Sequence, residues 1–178
     1  MRDKAGTGEP STTSPDGTGG VRVLIVWHSR TGASRALARA AARGAGRSAR
    51  LRRADRVRSA DLLAAAGYLF IAPENLGALS GAMKEMFDRT YYDVLVQVEG
   101  RPYATIIAAG SGGDGAQAQL DRIVTGWRLR RVAPPLIVST QAQSAEAIWA
   151  VKQVAASALA EARSLGALLA QGLAAGVF

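Results

Sequence analysis

Residues 21–34 read VRVLIVWHSRTGAS, a β-branched apolar run that ends in hydroxyls around one glycine. Val21–Trp27 is almost continuously apolar, as expected for a short strand buried on both faces. Ala33–Gly44 follows with Leu37, Ala40 and Ala41 on one stripe. Arg35, Arg39 and Arg43 recur four residues apart on another, and that spacing predicts a helix. Between the two lies Ser29-Arg30-Thr31-Gly32-Ala33-Ser34. Its amides meet at a helix N-terminus, where they lack intrahelical acceptors and sit at the positive end of the dipole. Three hydroxyls and a glycine in that position suit a phosphate. They also suit a Ser/Thr-rich helix cap, and spacing alone leaves both open.

Working outward, apolar runs and helical patterns alternate. Arg50–Arg53 is expected as a short edge strand, where charge is tolerated, and Ser59–Ala66 as a short helix. Tyr68–Ala72 is expected as the next buried strand. Ser80–Tyr91 predicts an amphipathic helix capped by Ser80. Pro102–Ala109 predicts a strand, and Asp114 with Gln117 a D-x-x-Q capping box opening the next helix. Leu136–Ser139 is the last expected strand. Ser144–Gly172 is expected as one long Ala-rich helix, interrupted if anywhere near Gly166. This order predicts an α/β three-layer sandwich, doubly wound, with right-handed crossovers. The expected sheet has five parallel strands in the order 2-1-3-4-5, and ligand is expected at the carboxyl ends of the strands.

Two further loops belong to that edge. Pro73-Glu74-Asn75-Leu76-Gly77 follows the third strand, and Gly110-Ser111-Gly112-Gly113-Asp114-Gly115 follows the fourth. Each alone is an ordinary turn. In the order 2-1-3-4-5 they meet the Ser29–Ser34 loop, and glycine there lets backbone approach a flat ring.

The 178 residues suffice for one domain with a sizeable core. The expected division is a flexible tail over residues 1–20 and one domain over residues 21–178. The tail is rich in Gly, Ser, Thr and Pro and lacks the apolar stretch of a secretory signal. No apolar run reaches the roughly 20 residues of a membrane span. With no cysteine, disulfides, thiolate nucleophiles and cysteine metal sites are excluded, and one histidine, His28, cannot make a histidine-rich metal site. No metal is expected, and the cytoplasm is the expected compartment. The net charge of +8 is uneven: residues 1–58 carry +9 and residues 59–178 carry −1.

VLIVWHSRTGAS resembles the first strand and phosphate loop of flavodoxin-like FMN proteins, with their T/S-x-T-G-x-T pattern. APENLGALSGAMKEMFDRTYYD and AAGSGGDGAQAQLDRIVTGWRL resemble the second and third flavin loops of the NAD(P)H-dependent FMN and quinone reductase branch. The resemblance runs from about Val21 to the C-terminus. It implies a flavodoxin-like fold and an FMN cofactor. It further implies that Ser29, Arg30, Thr31, Gly32, Ala33 and Ser34 hold the phosphate. Pro73, Glu74, Asn75, Leu76 and Gly77 would contact one edge of the ring, and Gly110, Ser111, Gly112 and Gly113 its other side. Ala33-Ser34 replaces a frequent Asn-Thr, and Ala78 stands where relatives often carry an aromatic residue. The long insertion of tetrameric quinone reductases is missing after the fourth strand.

The implied activity is an FMN oxidoreductase passing electrons from NAD(P)H to a quinone, a flavin or another small acceptor. The flavin carries that chemistry, so no catalytic side chain is required. Single-electron flavodoxins are typically strongly acidic, and the basic balance here favours two-electron chemistry. A flavodoxin-like electron-transfer or signalling module without turnover is the alternative. A flavin-free nucleic-acid-binding domain is weaker, because Arg47–Arg58 lacks interleaved aromatics and suits a solvated basic face. His28 is expected to be a satisfied structural histidine, and Glu74 to act through its backbone. Asp88, Arg89, Tyr91 and Tyr92 are expected in packing and surface pairing, and Trp127 and Trp149 in the core or an interface. Ala/Gly faces on the last helix permit a homodimer without requiring one.

Overall fold

In the central strand β1 (Val23–Trp27), Val23 and Ile25 face one core while Leu24 and Val26 face another, all four fully buried. Burial on both faces explains why the strand shows no polar alternation. The computed structural model describes residues 22–178, so the tail expected over residues 1–20 lies outside the described residues.

Strand β1 lies between β2 (Ala49–Arg53) and β3 (Gly67–Asn75), both parallel to it, with Ile25 in register with Leu51 and Leu69. Next to β3 runs β5 (Pro102–Ala109), with Phe70 opposite Thr105. The outermost position beyond β5 is shared by β6 (Arg130–Arg131) and β7 (Leu136–Ser139). Only the second piece was expected. Pro134 and Pro135 between them have no N–H for a ladder, so the strand is broken. Taking β6 and β7 as one broken strand, and setting aside the short β4 (Ala78–Leu79), the parallel order is 2-1-3-4-5. The fold is the flavodoxin-like α/β sandwich.

Helices α1 (Ala33–Ala45) and α6 (Ala156–Ala175) cover one face of the sheet. Helices α2 (Ser59–Ala64), α3 (Gly81–Val94) and α4 (Asp114–Gly126) cover the other. On that second face Phe87 lies 5.2 Å, centroid to centroid, from both Phe70 and Trp127, and the Trp127 indole N–H donates to the Tyr91 carbonyl. Trp127 is therefore core. Asp88 and Arg89 pair on the surface of α3 with Lys84 and Glu85. Among the described residues no helix is long and apolar enough to cross a membrane.

Three expectations need correction. The long last helix is two helices, α5 (Ala145–Trp149) and α6, with residues 150–155 non-helical between them. The break falls there because the Lys152 amide donates to the Thr31 carbonyl rather than into a helix. Gly166 does not interrupt α6; it lies against the Ala41 carbonyl of α1, while Gly44 of α1 lies against the Arg163 carbonyl of α6. These two glycines let the helices approach backbone to backbone. Ser80 does precede α3, yet its hydroxyl makes no capping bond. Asp114 and Gln117 form no capping box either: Gln117 accepts from the Thr105 hydroxyl and donates to Asp121.

Replacing Gly166 by Ala would press a methyl group into the Ala41 carbonyl, and we expect a loss of about 1–3 kcal/mol in urea unfolding. Gly81→Ala, in open space at the start of α3, serves as control and should be neutral or stabilising by up to about 1 kcal/mol.

Candidate functional site

The turn from β1 into α1 is shaped by Gly32, whose φ of 102° lies in the left-handed region. Its amide donates to Ser29 Oγ at 3.0 Å and its carbonyl accepts from Ala36. Ser29 therefore keeps its own hydroxyl hydrogen for another acceptor. The first-turn amides of Ala33, Ser34 and Arg35 have no intrahelical acceptor and sit at the positive end of the α1 dipole. Ser34 is 1% exposed, and its hydroxyl makes no hydrogen bond within the protein. Leaving such a group unpaired costs about 1–3 kcal/mol. A polyanionic oxygen acceptor at this turn would satisfy it, so the residues present fit a phosphate ester.

The Pro73–Gly77 stretch, expected as a loop, continues β3 to Asn75 and folds back as a hairpin with β4. Its two turn residues, Leu76 and Gly77, have φ of 54° and 70°. Two positive φ values match the tight turns that suit strand twist, though leucine is an uncommon occupant. The Glu74 carboxylate accepts from the Ala116 amide at 3.1 Å, so this side chain, 42 residues away, caps α4 in place of Asp114. A Cβ at Gly112 would lie 3.2 Å from a Glu74 carboxylate oxygen, and one at Gly115 would lie 2.1 Å from the Gly77 carbonyl oxygen of the hairpin turn, so glycine at 115 is required by backbone contact. The Leu79 amide donates to Gln119 on α4 and completes the clamp. Glu74 thus acts through its side chain rather than its backbone alone, and it ties the second loop to the third.

These loops enclose a cavity of about 480 Å³ at the carboxyl edge of the sheet, within the size range of small-molecule sites. Its wall includes Ser29, Arg30, Thr31, Ala33 and Ser34 from the first loop and Pro73, Glu74, Asn75, Leu76 and Gly77 from the second. Gly110 and Ser111 come from the third, with Ala108 and Ala109 at the end of β5. Gly32, Gly112 and Gly113 shape those loops without forming the wall. The structure adds Thr140, Ala142, Ile148, Trp149 and Lys152, from the segment after β7. Sequence periodicity did not single these out; for Ile148, Trp149 and Lys152 the reason is that an unbroken helix over 144–172 would carry them away from the sheet edge. Trp149 is 68% exposed, at the cavity rather than in the core.

His28 stands beside the first loop, its Nδ1 hydrogen-bonded to the buried Ser80 hydroxyl at 2.9 Å. Burial, followed by the positive charge of Arg53, pushes its pKa below the usual 6.5. Three of the six arginines over 47–58 are paired or stacked: Arg50 and Arg52 meet Asp61, while Arg53 meets Asp55 and lies over Trp27.

Residues 52–145 match the family of NADPH-dependent FMN reductases. A flavodoxin from Aquifex aeolicus (strain VF5) is 30% identical over 108 residues, and the match spans 58% of this chain and 58% of that relative. Among solved structures, an archaeal flavodoxin superposes with a TM-score of 0.69 at 15% identity, over 86% of this chain and 99% of its own. The WrbA-like flavodoxin from Agrobacterium tumefaciens gives 0.69 at 18% identity, over 87% and 98%. The flavodiiron protein from Giardia intestinalis gives 0.70 at 15%, over 86% of this chain and 36% of that one. At these identities the structural likeness concerns the fold.

Two outcomes follow from the site itself. Ser34→Ala removes a buried unpaired hydroxyl, and without ligand it should hold or raise the melting temperature, by up to about 1 kcal/mol of stability. Because His28 is held neutral, the unfolded chain binds the extra proton first on acidification. Its contribution to stability is full above pH 6.5 and is lost as pH falls through the lower folded-state pKa. His28→Gln should flatten that acid limb in melting curves recorded between pH 7.5 and 5.

Proposed function

The chain belongs to the NADPH-dependent FMN reductase family, a family of flavin-binding redox proteins, and from that premise we propose that it binds FMN in the 480 Å³ cavity and takes electrons from NAD(P)H. The carrying observation is the buried, unpartnered Ser34 hydroxyl beside the free first-turn amides of α1, on the wall of that same cavity. Thr31, Ser34 and the Ser29 hydroxyl hydrogen, with the Ala33 and Ser34 amides, would hold the phosphate by charge-assisted bonds. Arg30 adds positive charge at the same turn. Gly32 gives the loop its left-handed bend and orders the Ser29 hydroxyl.

The ring end of the cavity is bordered by Ala108, Ala109 and Gly110, whose small side chains let a flat group approach the backbone. Pro73–Gly77 and Gly110–Gly113 would contact it from two sides, held in place by Glu74. Bound FMN supplies hydride acceptance and donation. The protein's part is to bind and orient, and to exclude water from the small-residue floor. A quinone, a flavin or another small electrophile is the proposed acceptor. Because the chain spans 58% of the length of its curated relative, its substrates and partners are proposals of this chain alone.

Adding FMN to purified protein should give a yellow complex that survives gel filtration and oxidises NADPH or NADH steadily with a quinone present. Thr31→Asp sets a carboxylate against the phosphate and should weaken FMN binding about 10–100-fold, the scale of bonds to a charged group. Wild-type protein that retains no flavin would refute the proposal.

A further inference from the structure

Trp149 is the one aromatic residue among those lining the cavity, and it comes from none of the three loops that the sequence pointed to. The residue is 68% exposed, yet its position is fixed from several sides. The Ser144 hydroxyl caps α5 by accepting from the Ala147 amide at 3.1 Å. The Lys152 ammonium closes the other end, donating to the carbonyls of Ala147, Ile148 and Ala150. The Lys152 amide ties this strap to the Thr31 carbonyl at 2.9 Å, and Val151 packs beside Gly32. The Arg30 guanidinium lies 4.9 Å from the indole centroid, a cation–π contact that occupies one face of the ring. Trp149 is otherwise largely exposed, which leaves indole surface at the cavity for a second planar group.

Exposed apolar side chains gather at this mouth. Leu76, fully exposed and held at φ of 54°, lines the same cavity as Ile148 and Trp149, both exposed. A clustered apolar rim around a polar cradle marks a ligand that is apolar and flat at one end and charged at the other.

We propose that Trp149 is a ring-binding residue of this site: carried across the cavity by the 144–155 strap and oriented by Arg30, its indole stacks against the planar ring of the cofactor. The inference rests on the FMN reading and deepens it. It also gives Arg30 a second task, since the side chain adjoining the phosphate turn is the one that holds the indole. Phosphate and ring are then gripped by one connected unit.

The test measures dissociation constants for FMN and for riboflavin, which lacks the phosphate, together with the fluorescence of the bound flavin. Wild type, Trp149→Ala, Trp149→Phe and Thr31→Asp are compared, with melting temperatures confirming that the surface substitutions leave the fold intact. Trp149→Ala should weaken FMN and riboflavin by the same factor, about 10-fold on the scale of stacking on an aromatic side chain. It should also brighten the bound flavin by removing the quenching indole, while Trp149→Phe recovers most of the affinity. Thr31→Asp should weaken FMN and spare riboflavin. If Trp149→Ala leaves both affinities and the flavin emission unchanged, the role of Trp149 is overturned while FMN binding stands. A wild type that binds neither flavin overturns both. A change in oligomeric state by light scattering, with flavin affinity unaltered, would assign the indole to contact between two copies and likewise overturn the proposal.

Discussion

Parallel strands that are hydrogen-bonded side by side must end at the same edge of the sheet. Strands β1, β3 and β5 occupy adjacent positions, so the segments leaving their carboxyl ends converge although they lie about 40 and 80 residues apart in sequence. Each brings a different contribution. The first delivers amides and hydroxyls at a helix N-terminus, the second a hairpin, and the third a glycine-rich entry to α4. Both faces of the sheet are covered by helices, which leaves that edge as the natural opening in the fold.

Electrostatics at the opening are arranged so that the carboxylate nearest the cavity is already engaged. Glu74 spends its charge on the N-terminus of α4, where the Ala116 amide and the helix dipole both favour an anion. The N-terminus of α1 has no acidic residue in its first turn. Of two comparable helix starts on one edge, one is therefore neutralised from within and the other stays available to an anionic ligand. Glycine at 112 leaves room for that carboxylate, and glycine at 115 lets the Gly77 carbonyl of the hairpin turn pack against α4.

The segment after β7 serves both the frame and the site. Helix α6 packs on α1 through the reciprocal glycine contacts at 44 and 166, which fixes the helix whose first turn faces the cavity. The strap that precedes α6 reaches the other end of the same helix, at Thr31. Stability and ligand geometry are coupled through α1: a displacement that loosens its contact with α6 also moves the amides of its first turn.

By itself the sequence determined the strands that are buried on both faces, because Val23–Val26, Tyr68–Ala72 and Pro102–Ala109 carry little but apolar side chains and admit no solvent-facing side. Its alternation of strands and helices also led to the strand order through the crossover rule, and its local pattern placed a glycine turn at Ser29–Ser34 between β1 and α1. Partners distant in the chain were decided only by the tertiary structure. Ser80 turns its hydroxyl to His28 instead of its own helix, Glu74 caps a helix 42 residues on, and Gly166 is a contact point instead of a break. The helix stops after Trp149 because the Thr31 carbonyl claims the Lys152 amide, and no local propensity encodes a bond across 121 residues. Local pattern sets what a segment can become; competition among distant donors, acceptors and surfaces sets which of those it is.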